Sequence, residues 1–453
     1  MWFNHTIEIN YVMMKIKLLL FNTIFFLVSS EVPGQIVYDL NGCIRTGLEN
    51  NFSLLIVKNS ETIAKNNYTL GNAGFLPSLN LNGRHSGTIN DITRNQTDGS
   101  QTTSDGERNT TTSAGLAMDL TIFNGFSVQT TYKKLGELKQ IGELNTQLAV
   151  ENLVADIISG YYNYIDQMMF LKNLQYALVL SRERLRIDED RYLLGGGSKL
   201  QVLQSRVYLN ADSSRLSRQL EVVRATQIRL NELLALEDLS QRFTTTDTSI
   251  NVNPELLFEK LLDETLTKNT SLLIATKNKT ISEYDYKLIV SRSYPYLNAS
   301  SGYNYSVNTY SSGSTENQLT NGLSYGLTLG VNIFDGLNQR RNIRNSSIDI
   351  KNKELKYLEI EQGVRADLIT LYSAYSSYLR LITLENQNLQ TATENLDIAM
   401  ERYKLGSLSG IDLREVQKSL LDARESLLSV EYQAKLAEIS LLLISGRIME
   451  YYQ

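Results

Sequence analysis

Apolar residues alternate with polar or small residues over a short stretch of the chain, residues 115–123. A period of two predicts a β-strand with one apolar face. The same alternation returns over 326–334, at an offset of 211 positions. The matching apolar residues are Leu116, Met118, Leu120 and Ile122 in the first stretch, and Leu327, Leu329, Val331 and Ile333 in the second. Two further strands are predicted to begin near Leu79 and Leu297, with polar hairpin loops at about 90–111 and 309–321.

After each alternating stretch, apolar residues recur at every third or fourth position, which predicts a helix. The 69 residues between Gly125 and Gly195 contain no proline, and neither do the 69 between Gly336 and Gly406. A helix of this length extends about 100 Å at 1.5 Å per residue. Such helices are typical of coiled-coil-like bundles. Tight turns and return helices are predicted to follow, at about 200–236 and 411–445.

The chain contains an internal sequence repeat. Residues 122–125 read Ile-Phe-Asn-Gly and residues 333–336 read Ile-Phe-Asp-Gly. Arg-Tyr followed by Leu-Gly recurs at the same offset further on. Each half is predicted to run helix, strand, loop, strand, long helix, tight turn, helix. The predicted organisation is a leader (1–34), a first repeat (35–236), a linker or equatorial segment (237–254) and a second repeat (255–453).

The leader is typical of an export signal. Residues 13–17 carry two lysines, and an apolar run follows over 18–28. We interpret 1–34 as a secretory signal peptide that is cleaved after Gly34. Residues 1–12 do not fit a signal peptide and are interpreted as the product of an upstream start codon chosen in error.

Neither a lipid anchor nor a membrane-spanning helix is predicted for the mature chain. Residues 40–43 resemble a lipoprotein box only superficially, because eleven residues separate them from the apolar run. We therefore expect Cys43 to be an ordinary buried cysteine. No later apolar run reaches 18 residues. The strands of a membrane β-barrel need only about 9–11 alternating residues. The sequence is therefore compatible with a membrane β-barrel.

The amino-acid composition argues against several classes of function. Lys and Arg number 44 and Asp and Glu number 49, giving a net charge of −5. This balance argues against a nucleic-acid binder with a basic surface. One cysteine and two histidines exclude a disulfide framework and leave few ligands for zinc or iron–sulfur sites. The sequence shows no nucleophile–base arrangement. We therefore predict that the protein is not an enzyme and has no cofactor or metal.

If the predicted strands lie in lipid, several copies of the chain must associate. All backbone hydrogen bonds of a membrane sheet must be made, so the sheet has to close on itself. Four strands per chain are too few, because known membrane barrels begin at eight. Two copies would supply eight strands and three copies twelve. A barrel wider than eight strands can leave a lumen, which the helices of several copies could extend as a hollow cylinder.

The two half-repeats, the Phe-Asn-Gly and Phe-Asp-Gly strand ends and the Arg-Tyr turns resemble the TolC-type outer-membrane efflux proteins. Residues 40–51 are also similar, although the family usually has alanine where this chain has Cys43. The resemblance covers about residues 36–448. It implies an α+β membrane protein in which long antiparallel α-helical hairpins form a coiled-coil-like tunnel. Four transmembrane β-strands per chain would contribute to a twelve-stranded β-barrel in a homotrimer.

The resemblance also implies a function and a location. The protein would be the passive exit duct of a tripartite efflux pump or a type I secretion system, carrying small molecules or proteins. It would lie in the bacterial outer membrane, in contact with lipid, with its helices in the periplasm. A periplasmic adaptor protein and an inner-membrane transporter would be its partners. The alternative is a non-conducting, envelope-spanning tether or adhesin.

Four residues at the hairpin turns are candidates for contact with the adaptor, and the resemblance assigns them this role. Glycine is also favoured just past a helix C-terminus, where φ is positive, so the two glycines have a structural reason as well. The four residues are Leu194, Gly195, Leu405 and Gly406.

Two carboxylates at the start of the last long helix are candidates for the entrance constriction. Asp412 and Glu415 lie three positions apart and share a helix face. The family places acidic rings at this position. In a trimer, six carboxylates at a narrow entrance would favour cations. A capping box at Ser409 explains Asp412 equally well, but it does not explain Glu415.

The remaining candidates concern the barrel and the closed state. Asp119, Thr121, Thr328 and Asn332 are expected to face the barrel lumen, because they alternate with the apolar positions. Some family members latch the closed entrance with an Arg–Asp contact between hairpins. Tyr403 fits that pattern, but the positions of the pair are occupied by Leu408 and Gln201. We therefore expect that latch to be absent.

Overall fold

The computed structural model describes residues 36–452, so the predicted signal peptide and its cleavage point lie outside the described residues. Helices account for most of this range. Each half begins with a group of shorter helices, where we had predicted a single one. The α-helices are α1 (Leu40–Asn50), α2 (Phe52–Asn67), α3 (Leu70–Ala73), α4 (Ser127–Leu193), α5 (Lys199–Leu233), α6 (Phe258–Lys268), α7 (Thr270–Ser291), α8 (Asn338–Lys404) and α9 (Gly410–Ile444). A short 3₁₀ helix, Ile448–Tyr452, follows.

The long helices obey the internal repeat. Helices α4 and α8 have 67 residues each, and α5 and α9 have 35 each. Both bounds of each pair differ by 211 positions, the offset that relates the sequence motifs. The predicted antiparallel hairpins, α4 with α5 and α8 with α9, are therefore present in both halves. Within residues 36–452, no helix is both long and apolar enough to cross a membrane.

The strands form two sheets. A two-stranded parallel sheet pairs β1 with β4. A four-stranded antiparallel sheet has the order β2-β3-β5-β6. The strands are β1 (Ile36–Tyr38), β2 (Ser78–Asn95), β3 (Gln101–Asn124), β4 (Phe243–Thr245), β5 (Tyr296–Tyr310) and β6 (Asn317–Gly330).

The four strands of the larger sheet run further than the sequence indicated. We had predicted hairpin loops at about 90–111 and 309–321, but the loops occupy only 96–100 and 311–316. Strands β2 and β3 pair over the whole of 78–95, with one register shift. Backbone groups in a ladder bond each other whatever their side chains, so the polar composition that suggested loops is compatible with strands.

The described chain forms two compact units. The first, the hairpin unit, comprises residues 36–46, 160–250 and 389–428. Helices α4, α5, α8 and α9 contribute to its core, and the fully buried Cys43 belongs to this unit. Burial raises the pKa of the Cys43 thiol to about 12, and Asp39 adds to the shift. A core cluster of this unit contains Ile187, Leu396, Ala399, Tyr403, Leu413 and Leu420.

The second unit, the sheet unit, comprises residues 47–159, 251–388 and 429–452. It contains the four-stranded sheet and the shorter helices α2, α3, α6 and α7. Its helices bury an apolar core of their own. The most buried side chains of that core include Leu54, Ile157, Ile158, Leu261, Leu368, Leu441 and Ile448.

The join between the repeats, which the sequence predicts at 237–254 as a linker or equatorial segment, contains regular structure. It contains β4, which pairs with β1. In the hairpin unit, the hydroxyl of Tyr161 donates to the Asp247 carboxylate at 3.1 Å, and that of Tyr164 donates to the Phe243 carbonyl at 3.2 Å.

The repeat partners of these two tyrosines, 211 positions later, hold the next part of the join. In the sheet unit, the hydroxyl of Tyr372 donates to the Leu256 carbonyl at 3.3 Å. The hydroxyl of Tyr375 donates to the Asn253 carbonyl. Both repeats therefore contact the join through equivalent side chains.

Candidate functional site

One face of the four-stranded sheet is apolar. Residues that pair across an antiparallel ladder lie on the same face. The register aligns Leu81, Leu116, Tyr303 and Leu323 in one row across all four strands. The neighbouring rows on this face add Leu79, Met118, Leu120, Tyr325 and Leu327.

This apolar face is open. The exposed fraction is 76% for Leu81, 86% for Tyr325 and 71% for Leu327. Soluble monomers rarely leave an apolar patch of this kind uncovered, so the face indicates contact with lipid or with another apolar surface.

The opposite face of the sheet is polar. Thr121 pairs with Asn298, which pairs with Thr328 on the next strand. Asp119 lies in the neighbouring row, opposite Ser300. Three of the four residues that we expected to face a lumen therefore share the polar face.

Asn332, the fourth, was placed wrongly in a strand. Strand β6 ends at Gly330, where Tyr296 is its last partner. Pro295 comes directly before Tyr296 and has no N–H to continue the ladder. Residues 331–334 therefore leave the sheet, and the alternating pattern there does not form a strand.

The two hairpin turns present apolar side chains. Gly195 and Gly406 have φ values of +81° and +78°, so each adopts the left-handed conformation that ends a helix. The amide of Gly406 donates to the Tyr403 carbonyl at 2.9 Å, as the Gly195 amide does to the Tyr192 carbonyl at 3.1 Å. Beside these glycines, Leu194 is 86% exposed and Leu405 is 83% exposed.

The two candidate carboxylates are exposed in the first turns of α9. The Asp412 amide donates to the Ser409 hydroxyl at 3.1 Å, and that hydroxyl donates to the Asp412 carboxylate at 2.7 Å. Capping therefore engages Asp412. The Glu415 carboxylate forms no ion pair with any residue in the described range. The structure thus provides a local partner for one carboxylate and leaves the other facing solvent.

Tyr403 is the centre of a group of buried hydrogen bonds that the sequence did not predict. Its hydroxyl donates to the Asp188 carboxylate, which also accepts from the Ser205 hydroxyl. The Arg191 guanidinium donates to the Tyr403 carbonyl and stacks 4.6 Å from the centre of its ring. Burial raises the pKa of Tyr403, and the neighbouring Asp188 adds to the effect. The phenol is therefore a donor at all ordinary pH values.

A second buried contact joins α5 to α9. Arg414 binds the Asp212 carboxylate through both terminal nitrogens, at 2.8 and 2.9 Å. Asp212 is 2% exposed and also accepts from the Ser181 hydroxyl. A bidentate pair of this kind is a strong interaction when it is removed from water. The Arg414 guanidinium lies 5.1 Å from the ring centre of Tyr208.

Arg184 is buried beside this pair without comparable partners. One terminal nitrogen donates to the Gln417 side chain at 3.4 Å, and Nε and Nη2 have no partner among the described residues. Its guanidinium stacks 4.6 Å from the Tyr208 ring centre. Desolvation and the neighbouring positive charge of Arg414 lower the pKa of Arg184.

Within residues 36–452, the two positions of the family's latch have local surroundings. Gln201 bonds the Ser198 backbone in a capping box, and Leu408 packs against the apolar cluster. The Tyr403–Asp188 and Arg414–Asp212 contacts were missed because their partners lie 215 and 202 positions apart. The available signal was the helical spacing of the polar residues Ser181, Arg184 and Asp188, which the structure buries on one face of α4.

The comparisons with known proteins agree with this geometry. A family model described as outer membrane efflux protein matches residues 43–236 and 261–447. The chain belongs to this family. Among the curated proteins that were compared by sequence, none matches the chain.

Solved structures of similar fold cover nearly the whole chain. CusC is 17% identical, with a TM-score of 0.72, and the alignment covers 91% of this chain and 92% of CusC. CmeC from Campylobacter jejuni is 15% identical, with a TM-score of 0.73 and coverages of 90% and 85%. VceC from Vibrio cholerae is 16% identical, with a TM-score of 0.70 and coverages of 90% and 96%. At these identities the likeness establishes the fold.

This outer membrane efflux protein therefore combines long helical hairpins with an antiparallel sheet. In the described part of the chain, no cluster of three or more His, Cys, Asp or Glu residues could hold a metal ion. The candidate functional surfaces are the two faces of the sheet, the apolar turns and the start of α9.

We expect Asp166 to make the free energy of unfolding depend on pH. Burial raises the pKa of Asp166 to about 6, the Gln167 side chain opposes the shift and the Glu425 charge adds to it. An unfolded aspartate titrates near about 3.9. The folded state therefore binds the proton more tightly, so the stabilisation is complete below about pH 4 and is lost as pH rises through about 6.

We expect Asp166→Asn to remove this loss. At pH 7.5 the variant should be more stable than the unmodified protein by about 1–2 kcal/mol, less than the full shift implies because solvent screens the partly exposed carboxylate, and at pH 4 the difference should vanish. Urea unfolding of the detergent-solubilised protein at both pH values measures this. If the advantage of the variant were the same at pH 4 and pH 7.5, the raised pKa would be refuted.

Proposed function

We propose that this efflux protein is a passive exit duct formed by a homotrimer, whose sheets together close into a twelve-stranded barrel in the outer membrane. The observation that carries the proposal is the amphipathic sheet. It has an exposed apolar face, a polar face and two edge strands, β2 and β6, that pair on one side only. In lipid, unpaired edges are too costly to persist, so neighbouring copies would have to complete the ladder.

The number of copies follows from the width that a duct needs. Two copies would give eight strands, and a barrel of eight is filled by its own side chains. Three copies give twelve strands and room for a lumen. The face that carries Asp119, Thr121 and Thr328 would then line the lumen, and the face with Leu81 and Leu327 would meet the lipid.

The helical hairpins would extend the duct into the periplasm. We propose that Asp412 and Glu415 from three copies surround the entrance as six carboxylates, which would favour cations. The apolar turns at Leu194–Gly195 and Leu405–Gly406 would contact a periplasmic adaptor protein. An inner-membrane transporter, either an efflux pump or a type I exporter, would supply energy and choose the cargo.

Single-channel recording in planar bilayers tests the duct, after the mass of the purified oligomer has been measured. We expect a trimer with small, cation-selective conductance steps. Asp412→Ala/Glu415→Ala should enlarge the steps and reduce the selectivity, because it removes the constricting charges. The control Glu221→Ala/Glu255→Ala removes two exposed carboxylates elsewhere and should change neither property.

Two results would contradict parts of the proposal. A trimer without conductance, even as the Asp412→Ala/Glu415→Ala variant, would favour the tether or adhesin. Equal effects of the two double variants would show that selectivity does not arise at the start of α9.

A further inference from the structure

The sheet unit contains an open cavity of about 440 Å³ whose lining combines aliphatic, neutral polar and acidic side chains. Glu151 and Asp367 line it, and no lysine or arginine does. Leucine, isoleucine and valine side chains from α4, α8 and α9 form much of its wall, among them Leu148, Leu371 and Ile444. The cavity therefore combines two negative charges with a hydrocarbon surface.

Glu151 is the unusual feature of this cavity. It is 5% exposed, and every hydrogen bond to its carboxylate comes from a neutral group. The Gln147 side-chain nitrogen donates at 2.7 Å, and the Thr270 hydroxyl lies 2.8 and 3.0 Å from the two oxygens. Within residues 36–452, Glu151 forms no ion pair. A buried carboxylate without a cation is destabilising, so the site lacks its complementary charge.

We propose that this cavity binds a small organic ammonium ion with an apolar body. The ammonium group would meet the Glu151 carboxylate, and the apolar body would cover the aliphatic wall. A magnesium or calcium ion fits poorly, because these ions take six or more oxygen ligands and the described residues offer no cluster of metal ligands here. The site uses one chain only, so the inference goes beyond the proposed duct and does not depend on it.

Isothermal titration calorimetry on the full chain in neutral detergent tests the site with 2-phenylethylammonium chloride. We expect one ion bound per chain. The neutral 2-phenylethanol should bind at least about tenfold more weakly, because it cannot make the charge-assisted contact. Magnesium chloride should neither bind nor displace the amine.

Variants assign the binding to this cavity. Glu151→Gln should weaken amine binding at least about tenfold while keeping a polar group for Gln147 and Thr270. Glu143→Gln removes a carboxylate from the same helix outside the cavity and should leave binding unchanged. If Glu151→Gln does not fold, Thr370→Trp at the exposed rim should block binding with Glu151 intact.

Several results would overturn the inference. They are no binding to the unmodified protein, equal binding of the alcohol and the amine, displacement by magnesium, or equal loss in Glu151→Gln and Glu143→Gln. A structure of the purified oligomer with a basic side chain of a second copy in the cavity would also overturn it. Each of these results is compatible with normal channel conductance, so failure here leaves the duct proposal untouched.

Discussion

Gly125→Ala should destabilise the protein severely, whereas the equivalent change in the other repeat, Gly336→Ala, should be mild. Gly125 lies at the turn from β3 to α4 with φ of +56°. A Cβ atom there would lie 2.3 Å from the Ser291 carbonyl oxygen and 2.9 Å from Cβ of Tyr294. The oxygen belongs to the backbone and cannot rotate away. Left-handed strain of about 1–2 kcal/mol and overpacking of about 1–3 kcal/mol together suggest a loss of about 3 kcal/mol.

The second repeat provides the matched control. Gly336 has φ of +71°, but the only atom near its added Cβ would be the Asn338 side-chain nitrogen at 3.6 Å. Only the left-handed strain remains, about 1 kcal/mol. The urea midpoints of the two variants, measured in the same detergent, give the comparison. Similar losses in both would show that the contact with Ser291 is unimportant.

Arg414→Met should cost about 3 kcal/mol of unfolding free energy. The change removes both hydrogen bonds from the guanidinium to Asp212 and leaves that carboxylate buried with the Ser181 hydroxyl as a neutral partner. Breaking a buried ion pair from one side typically costs about 3–5 kcal/mol. Arg414 is slightly more accessible than Asp212, so we expect the lower end of that range. Urea unfolding measures the loss.

Arg184→Met is the contrasting variant. Arg184 is more deeply buried than Arg414, but it has one weak hydrogen bond, and the like charge of Arg414 opposes the favourable charges of Asp188 and Asp212. Its removal should therefore cost less than about 1 kcal/mol. The double change Arg414→Met/Asp212→Asn should recover most of the stability lost in Arg414→Met, because the carboxylate that loses its cation is removed as well. A larger loss for Arg184→Met than for Arg414→Met would contradict this account.

The helical part of the fold was predictable because its signals are local and occur twice. The absence of proline between Gly125 and Gly195 and the repeat at 211 positions fixed the two long helices closely. The sheet was harder to delimit. Residues 101–111 contain four threonines and three charged residues, and polar residues of this kind occur both in exposed loops and in strands with polar surroundings. The pairing with β2, and with β5 from Asn109 onward, distinguishes a strand from a loop here.

The candidate site also has features that the sequence predicts and features that it does not. The turn glycines, Gly195 and Gly406, were predictable because few residues other than glycine adopt a positive φ readily. The polar contacts inside the hairpin unit could not be predicted from the sequence. The bond from Arg414 to Asp212 depends on how two helices from different repeats pack, and nothing in the spacing along one helix specifies that register.

The tyrosine contacts to the join bear on whether the two repeats could exist as separate polypeptides. A chain that ended before Phe243 would leave the buried Tyr164 hydroxyl without its acceptor and would leave the Tyr161 hydroxyl only the Tyr38 carbonyl, at 3.5 Å. A chain that began after Leu256 would remove the acceptors of the half-buried Tyr372 and the buried Tyr375. Each half-length product would carry orphaned phenols in its interior. Fusion of the two copies is thus part of what makes each copy stable, and the tandem gene could not simply be divided again.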